Sequence, residues 1–256
     1  MKIAVVRKKT LRNIFAAVAA LTLLLSAAAS VGYSAVSAGA GRRIPVYNVD
    51  TDRHVVSLTF DAAWGADKTK GILDILDDYG VKATFFLVGF WVDNFPEMVK
   101  EIDARGHEIG THSETHPHMP TLSKEKIKDE LSVSSGKITD ITGKAVLLFR
   151  PPFGDYNNTL VESCEEMQII PVQWDVDSLD WKGLSAAAIH QRVVGKVKDG
   201  SIVLFHNNSD NILEALPLVI ETLRLKKFTF APVGDVVYKT DYYVDNNGTQ
   251  HKKDIQ

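Results

Sequence analysis

From residue 55 onward, short apolar runs alternate with stretches of helical periodicity, and nearly every run ends on a polar residue able to do chemistry. The runs at 55–60, 83–88, 145–150, 169–175, 201–206 and 228–233, with a short one at 107–110, read as seven buried strands. Between them, 68–79 repeats Ile72, Ile75, Leu76 and Tyr79 at helical spacing, and Gly80 follows as a C-terminal stop. Further helices are predicted at 95–105, 123–142, 157–167, 185–198 and 212–225. Strands separated by helices imply a parallel sheet, and seven or eight such units favour a closed α/β barrel over an open sheet.

A parallel barrel gathers the carboxyl ends of its strands on one face, where such folds build their sites. Asp61 follows the first run, His112 and His116 the third, Arg150 the fourth, Asp175, Asp177 and Asp180 the fifth, and His206 the sixth. His112 and His116 stand four residues apart, a spacing that lets two imidazoles reach one divalent cation on a single turn. Pro117 biases His116 away from the α region, so that turn is short and loop-like. A helical zinc-protease motif would need Glu directly after the first His, where Ser113 stands.

Two histidines, carboxylates and a further His with a nearby Asp are the parts of a metal-assisted hydrolase. In this reading Asp61 is the general base and His206 the general acid. Arg150 holds Asp61 ionised, and Asp180 orients His206 and raises its pKa.

The ordered segments Thr59-Phe60-Asp61, His112-Ser113-Glu114-Thr115-His116-Pro117, Arg150-Pro151-Pro152-Phe153-Gly154, Asp177-Ser178-Leu179-Asp180-Trp181 and Leu204-Phe205-His206 resemble the five motifs of the polysaccharide deacetylase family, the NodB-homology domain of carbohydrate esterase family 4. The match spans about residues 55 to 237. Trp64-Gly65 after the first motif, the Arg-Pro-Pro of the third and the single N-terminal hydrophobic segment are most similar to the family's sporulation-type members. The resemblance implies a distorted (β/α) barrel of about seven parallel strands and a divalent metal, zinc with cobalt or manganese as alternatives. It also implies removal of N-acetyl groups from N-acetylglucosamine-type sugars in peptidoglycan or chitin-like glycan. By the same resemblance Asp61 is the base, His112 and His116 are metal ligands, Arg150 holds the base, and Asp180 partners the acid His206. The backbone N–H of Phe153 serves the oxyanion, and Trp181 and Leu204 wall the acetyl methyl.

One position departs from the pattern: the family's second Asp of the first motif, which completes an Asp-His-His triad, is Ala62 here. A methyl group binds no cation. The sequence leaves a two-histidine site completed by water, a replacement ligand such as Asp67 or Glu114, or a domain that binds glycan with little or no turnover.

Ahead of the barrel, Lys2, Arg7, Lys8, Lys9 and Arg12 precede an uncharged stretch at 13–41. This is an export or anchoring segment, spanning 1–40, with its N-terminus inside. Ala38-Gly39-Ala40 offers a cleavage site, yet the run is long enough to cross ~30 Å of hydrocarbon. Removing those five positive charges takes the net charge from −3 to about −8. An acidic domain argues against nucleic acid, and against membrane contact beyond that segment. Residues 41–54 are expected to be a linker, 55–238 the domain, and 239–256 a polar tail that frays. Cys164, the single cysteine, is expected to pack inside a helix and to take no part in a disulfide.

Overall fold

The computed structural model describes residues 41–253. Its strands form one curled, mostly parallel sheet. The central strand β2 (Val55–Ala62) is buried along its whole length, because neighbouring strands flank it and side chains cover both faces. On one side it pairs in parallel with β3 (Thr84–Leu87), followed outward by β4 (Glu108–Thr111), β5 (Leu148–Phe149) and β6 (Ile170–Pro171). On the other side it pairs with β8 (Ser201–His206), while the short β9 (Thr229–Phe230) adds to its first residues. β7 (Val176–Asp177) lies against the middle of β8.

The predicted alternation holds, with three corrections. Residues 41–54 are more than a linker: β1 (Asn48–Val49) pairs antiparallel with the start of β8, and Val46 bridges to Val172 beyond β6. The ladder that starts at β1 therefore returns to it, and residues 46–49 join its two ends. Part of the expected polar tail is structured: β10 (Tyr242–Val244) and β11 (Thr249–Lys252) form a hairpin whose second strand runs parallel to β1. The turn is specified locally: Asp245 Oδ1 accepts from the N–H groups of Asn247 and Thr249, and Gly248 supplies φ +84°. Several strands are also shorter than their apolar runs: only 148–149 of 145–150, 170–171 of 169–175 and 229–230 of 228–233 form strand.

Among the described residues seven α-helices pack outside the sheet: α1 (Thr69–Asp78), α2 (Gly89–Asn94), α3 (Pro96–Ala104), α4 (Lys124–Thr142), α5 (Asn158–Glu166), α6 (Ala186–Val194) and α7 (Ile212–Leu225). The helix predicted at 95–105 is α3, with Pro96 in its first turn, and the short α2 just before it was not predicted. α4 begins where Ser123 Oγ accepts the Lys126 N–H and ends at Gly143, at φ +70°. α5 is capped by Asn157, whose side chain accepts the Leu160 N–H at 2.9 Å. Between sheet and helices Phe60 stacks on Phe85 and Phe205, at 5.0 and 5.6 Å between ring centres. Cys164 is buried in α5, and burial pushes its thiol pKa far up, which fits a packing role.

Among the described residues no helix is long and apolar enough to cross a membrane. The expected export segment at 1–40 lies outside them.

Candidate active site

Strand register assembles the site. β2 and β8 run in parallel with Asp61 directly beside His206. Across β3 and β4, Ala62 aligns with Leu87, Leu87 with Thr111, and Thr111 with Phe149, so the residues that follow, His112 and Arg150, emerge at one level. Asp61, His112 and His206 line a cleft of about 670 Å³, together with Trp181, Leu204 and Phe153.

Asp61 and Arg150 are both buried, and Arg150 Nη1 donates to Asp61 Oδ1 at 2.8 Å. The same nitrogen donates to Thr59 Oγ1 at 2.8 Å, and Nη2 donates to the Gln173 carbonyl at 3.0 Å. The guanidinium lies 4.2 Å above the Phe86 ring. Burial alone would raise the Asp61 pKa, but the charge of Arg150, with His112 and His206 beyond it, holds it below the usual carboxylate value. Asp61 is therefore a carboxylate at neutral pH. Thr59 and Gln173 carried no expected role; Thr59 sits two residues before Asp61 and so shares its face of the strand, a signal period-two reading could have used.

His206 is fixed twice by one carboxylate. Asp180 Oδ1 lies 2.7 Å from its Nδ1, and Oδ2 accepts its backbone N–H at 2.9 Å. Burial works against protonation of His206, but the hydrogen bond and charge of Asp180 outweigh it, and the pKa stands above 6.5. The left-handed backbone at Leu179 (φ +52°) turns the chain so that Asp180 faces inward.

The two metal-ligand candidates come together, though not on a helical turn. Ser113 and His116 both sit in the left-handed region, at φ +70° and +58°, and the rings of His112 and His116 meet edge to face at 4.9 Å between centres. His112 Nδ1 lies 2.7 Å from the Arg150 carbonyl, which can only accept, so Nδ1 carries the proton and Nε2 is bare. That Nε2 faces Asp61 Oδ2 at 3.6 Å. Burial lowers the pKa of both imidazoles, that of His116 to about 4, so both are neutral and able to ligate.

Two neutral imidazoles 4.9 Å apart at one end of the cleft suit the chemistry of a cation bound by His112 and His116. The third ligand does not fit: Ala62 is a buried methyl, and among the described residues no group of three His, Cys, Asp or Glu side chains is placed to hold a metal ion. Neither proposed replacement serves. Glu114 is turned away into an ion pair with Lys137, and Asp67 is exposed outside the cleft.

Of the four tryptophans, Trp64 and Trp181 are exposed, by 64% and 58%, and Trp174 lines the cleft half-buried. Trp91 is buried and donates its indole N–H to the Gly65 carbonyl. Phe153 is 56% exposed in a tight turn at φ +60°, stacked on His118 at 4.2 Å.

Residues 48–172 match the family model described as polysaccharide deacetylase. A peptidoglycan-N-acetylglucosamine deacetylase of Bacillus cereus is 35% identical over 179 residues, covering 68% of this chain and 65% of that protein. A second B. cereus protein of the same name is 31% identical, covering 75% of this chain and 92% of its own. The uncharacterized protein YlxY of Bacillus subtilis is 32% identical over 77% of this chain and 61% of its length. The chain thus spans less than two thirds of the length of YlxY and of the first B. cereus deacetylase. Among solved structures, Bacillus anthracis BA3943, described as a CE4 family pseudoenzyme, superposes with a TM-score of 0.73 at 33% identity, covering 81% of this chain and 72% of that one. A BA3943 mutant described as having restored enzymatic activity has the same TM-score at 36% identity, over 75% of this chain and 70% of its own. With the motif residues converging on one cleft, these likenesses place the chain in the polysaccharide deacetylase family, carbohydrate esterase family 4.

Proposed function

We propose that this domain binds an N-acetylglucosamine-type glycan of the cell wall or spore cortex and hydrolyses its N-acetyl groups. The observation that carries this reading is the connected set Thr59, Asp61, Arg150, Asp180 and His206, with base and acid on adjacent strands in register. A domain that only held sugar would need neither. Asp61 accepts the proton of the attacking water, and Arg150 keeps it ionised until then. His206, charged by virtue of Asp180, protonates the departing amine. The Phe153 N–H receives the oxyanion, while Trp181 and Leu204 pack against the acetyl methyl. His112 and His116 would hold a divalent cation, zinc or alternatively cobalt or manganese, which when bound polarises the acetamide and acidifies water.

A second reading, glycan binding with weak or no turnover, is favoured by Ala62. Losing even an outer partner of a metal ligand lowers affinity or activity ~10- to 100-fold, and a missing anionic ligand acts at least as strongly. The likeness to BA3943 supports it. Export, with secretion or tethering through segment 1–40 and a role in sporulation, belongs to this proposal and rests on the charge pattern of that segment and on Trp64-Gly65.

The deciding experiment measures acetate released from N-acetylglucosamine oligomers with added Zn²⁺ or Co²⁺ and after chelation, for wild type beside Ala62→Asp. Metal-dependent release by the wild type establishes the deacetylase. Release by Ala62→Asp alone establishes the binding reading.

A further inference from the structure

The rim of the cleft beside His116 contains an exposed aromatic ring and an uncommitted amide, both held rigidly. Trp64 is 64% exposed, yet its ring is braced edge-on against His116 at 5.1 Å and tilted against Phe90 at 6.3 Å. Its backbone is fixed from below. The Gly65 carbonyl accepts from Trp91 Nε1 at 2.7 Å and from Asn207 Nδ2 at 2.8 Å, and buried Asn207 also donates to Thr69 Oγ1 at 3.1 Å.

Asn208 packs so closely that a Cβ on Gly65, itself at φ +63°, would lie 2.6 Å from its Nδ2. On the other side, Lys68 Nζ donates to the Ser209 carbonyl at 3.0 Å and to Asp210 at 3.3 Å, anchoring the loop that carries Asn208. The Asn208 amide lines the cleft and has no hydrogen-bond partner among the described residues.

An apolar ring face lying open to water is unfavourable unless a ligand covers it, and sugars present a flat C–H face ringed by hydroxyls. We propose that Trp64 and Asn208 form a second sugar subsite. A neighbouring unit of the glycan stacks on Trp64, and Asn208 hydrogen-bonds its hydroxyl or acetamide group, while the unit to be attacked reaches Asp61. This assignment rests on the glycan reading above. It makes the domain selective for oligomers over single sugars, because a single sugar fills one subsite and an oligomer fills both. Rigidity matters here, since a preformed platform loses little entropy on binding.

The test is calorimetric binding of N-acetylglucosamine and its tetramer to the full chain, with a chelator present to stop turnover. The wild type is expected to bind the tetramer more tightly than the monomer. Trp64→Ala should weaken the tetramer ~10-fold and Asn208→Ala ~5-fold, leaving monomer binding and the melting temperature unchanged. Trp64→Phe, which keeps a ring face, should recover most of the loss. A length preference that survives in both alanine variants overturns the subsite and leaves the glycan reading standing. Absence of any binding by the wild type overturns both.

Discussion

Arg150 and Asp61 form a 2.8 Å ion pair in which the guanidinium is fully buried and the carboxylate is 6% exposed. Breaking such a pair on one side leaves an uncompensated buried charge. Arg150→Met should therefore lower unfolding free energy by about 3–5 kcal/mol in urea titrations. Asp61→Asn keeps an acceptor for Arg150 and should fold normally, while acetate release falls ~100-fold or more. Activity near the wild-type level in Asp61→Asn would remove Asp61 from the mechanism.

Ala62 is fully buried, so an added carboxylate there is stable only beside a cation. Ala62→Asp is expected to retain near-stoichiometric Zn²⁺ or Co²⁺ after dialysis, measured by elemental analysis, with the wild type at least ~10-fold weaker. The variant's melting temperature should then rise on adding metal, as binding to the folded state requires. Equal metal content in both chains would show that two imidazoles and water suffice.

The pKa of His206 is raised, so the ring is protonated on the acidic side and loses its charge as pH climbs through its folded value. Turnover should fall on the basic limb of the pH–rate profile at a pH above 6.5. Asp180→Asn removes both the hydrogen bond and the charge, and should move that limb to lower pH. Linkage has the same sign: stability from the pair is complete below the unfolded value and is lost as pH rises through the folded one.

His107 behaves in the opposite sense. Burial lowers its pKa to about 4; its Nδ1 accepts the Ala83 N–H at 3.3 Å, and its buried Nε2 has no partner. The neutral ring is compatible with the fold above its unfolded pKa, and stability is lost as pH falls toward 4. Denaturant titrations at pH 7 and pH 4.5 should show a loss on the order of 2 kcal/mol in the wild type beyond that of His107→Gln. Matching slopes would rule His107 out as the cause.

Much of the site was legible because strand ends are locally marked. Asp61, His112, Arg150, Asp180 and His206 each terminate or follow an apolar run, and parallel strands put such positions on one face. The hairpin at Tyr242–Val244 and Thr249–Lys252 was not legible, because its polar residues take strand geometry only where β1 offers a partner. Glu114 shows the same limit. Beside the histidines in sequence it looked like a spare ligand, but the left-handed backbone at Ser113 and the charge of Lys137 direct it elsewhere.

By itself the sequence determined the order of strands and helices, the caps at Ser123 and Asn157, the residue types available for catalysis and the absence of a third ligand at Ala62. These depend on periodicity, short-range hydrogen bonds and side-chain chemistry, which neighbouring residues carry. Tertiary structure alone decided that Asp61 lies in register with His206, that Arg150 crosses the interior to reach Asp61, and that Trp64 faces the cleft while Trp91 is buried. Those outcomes belong to pairings between residues tens to more than a hundred positions apart, where strand register and close packing select among arrangements that local pattern leaves equivalent.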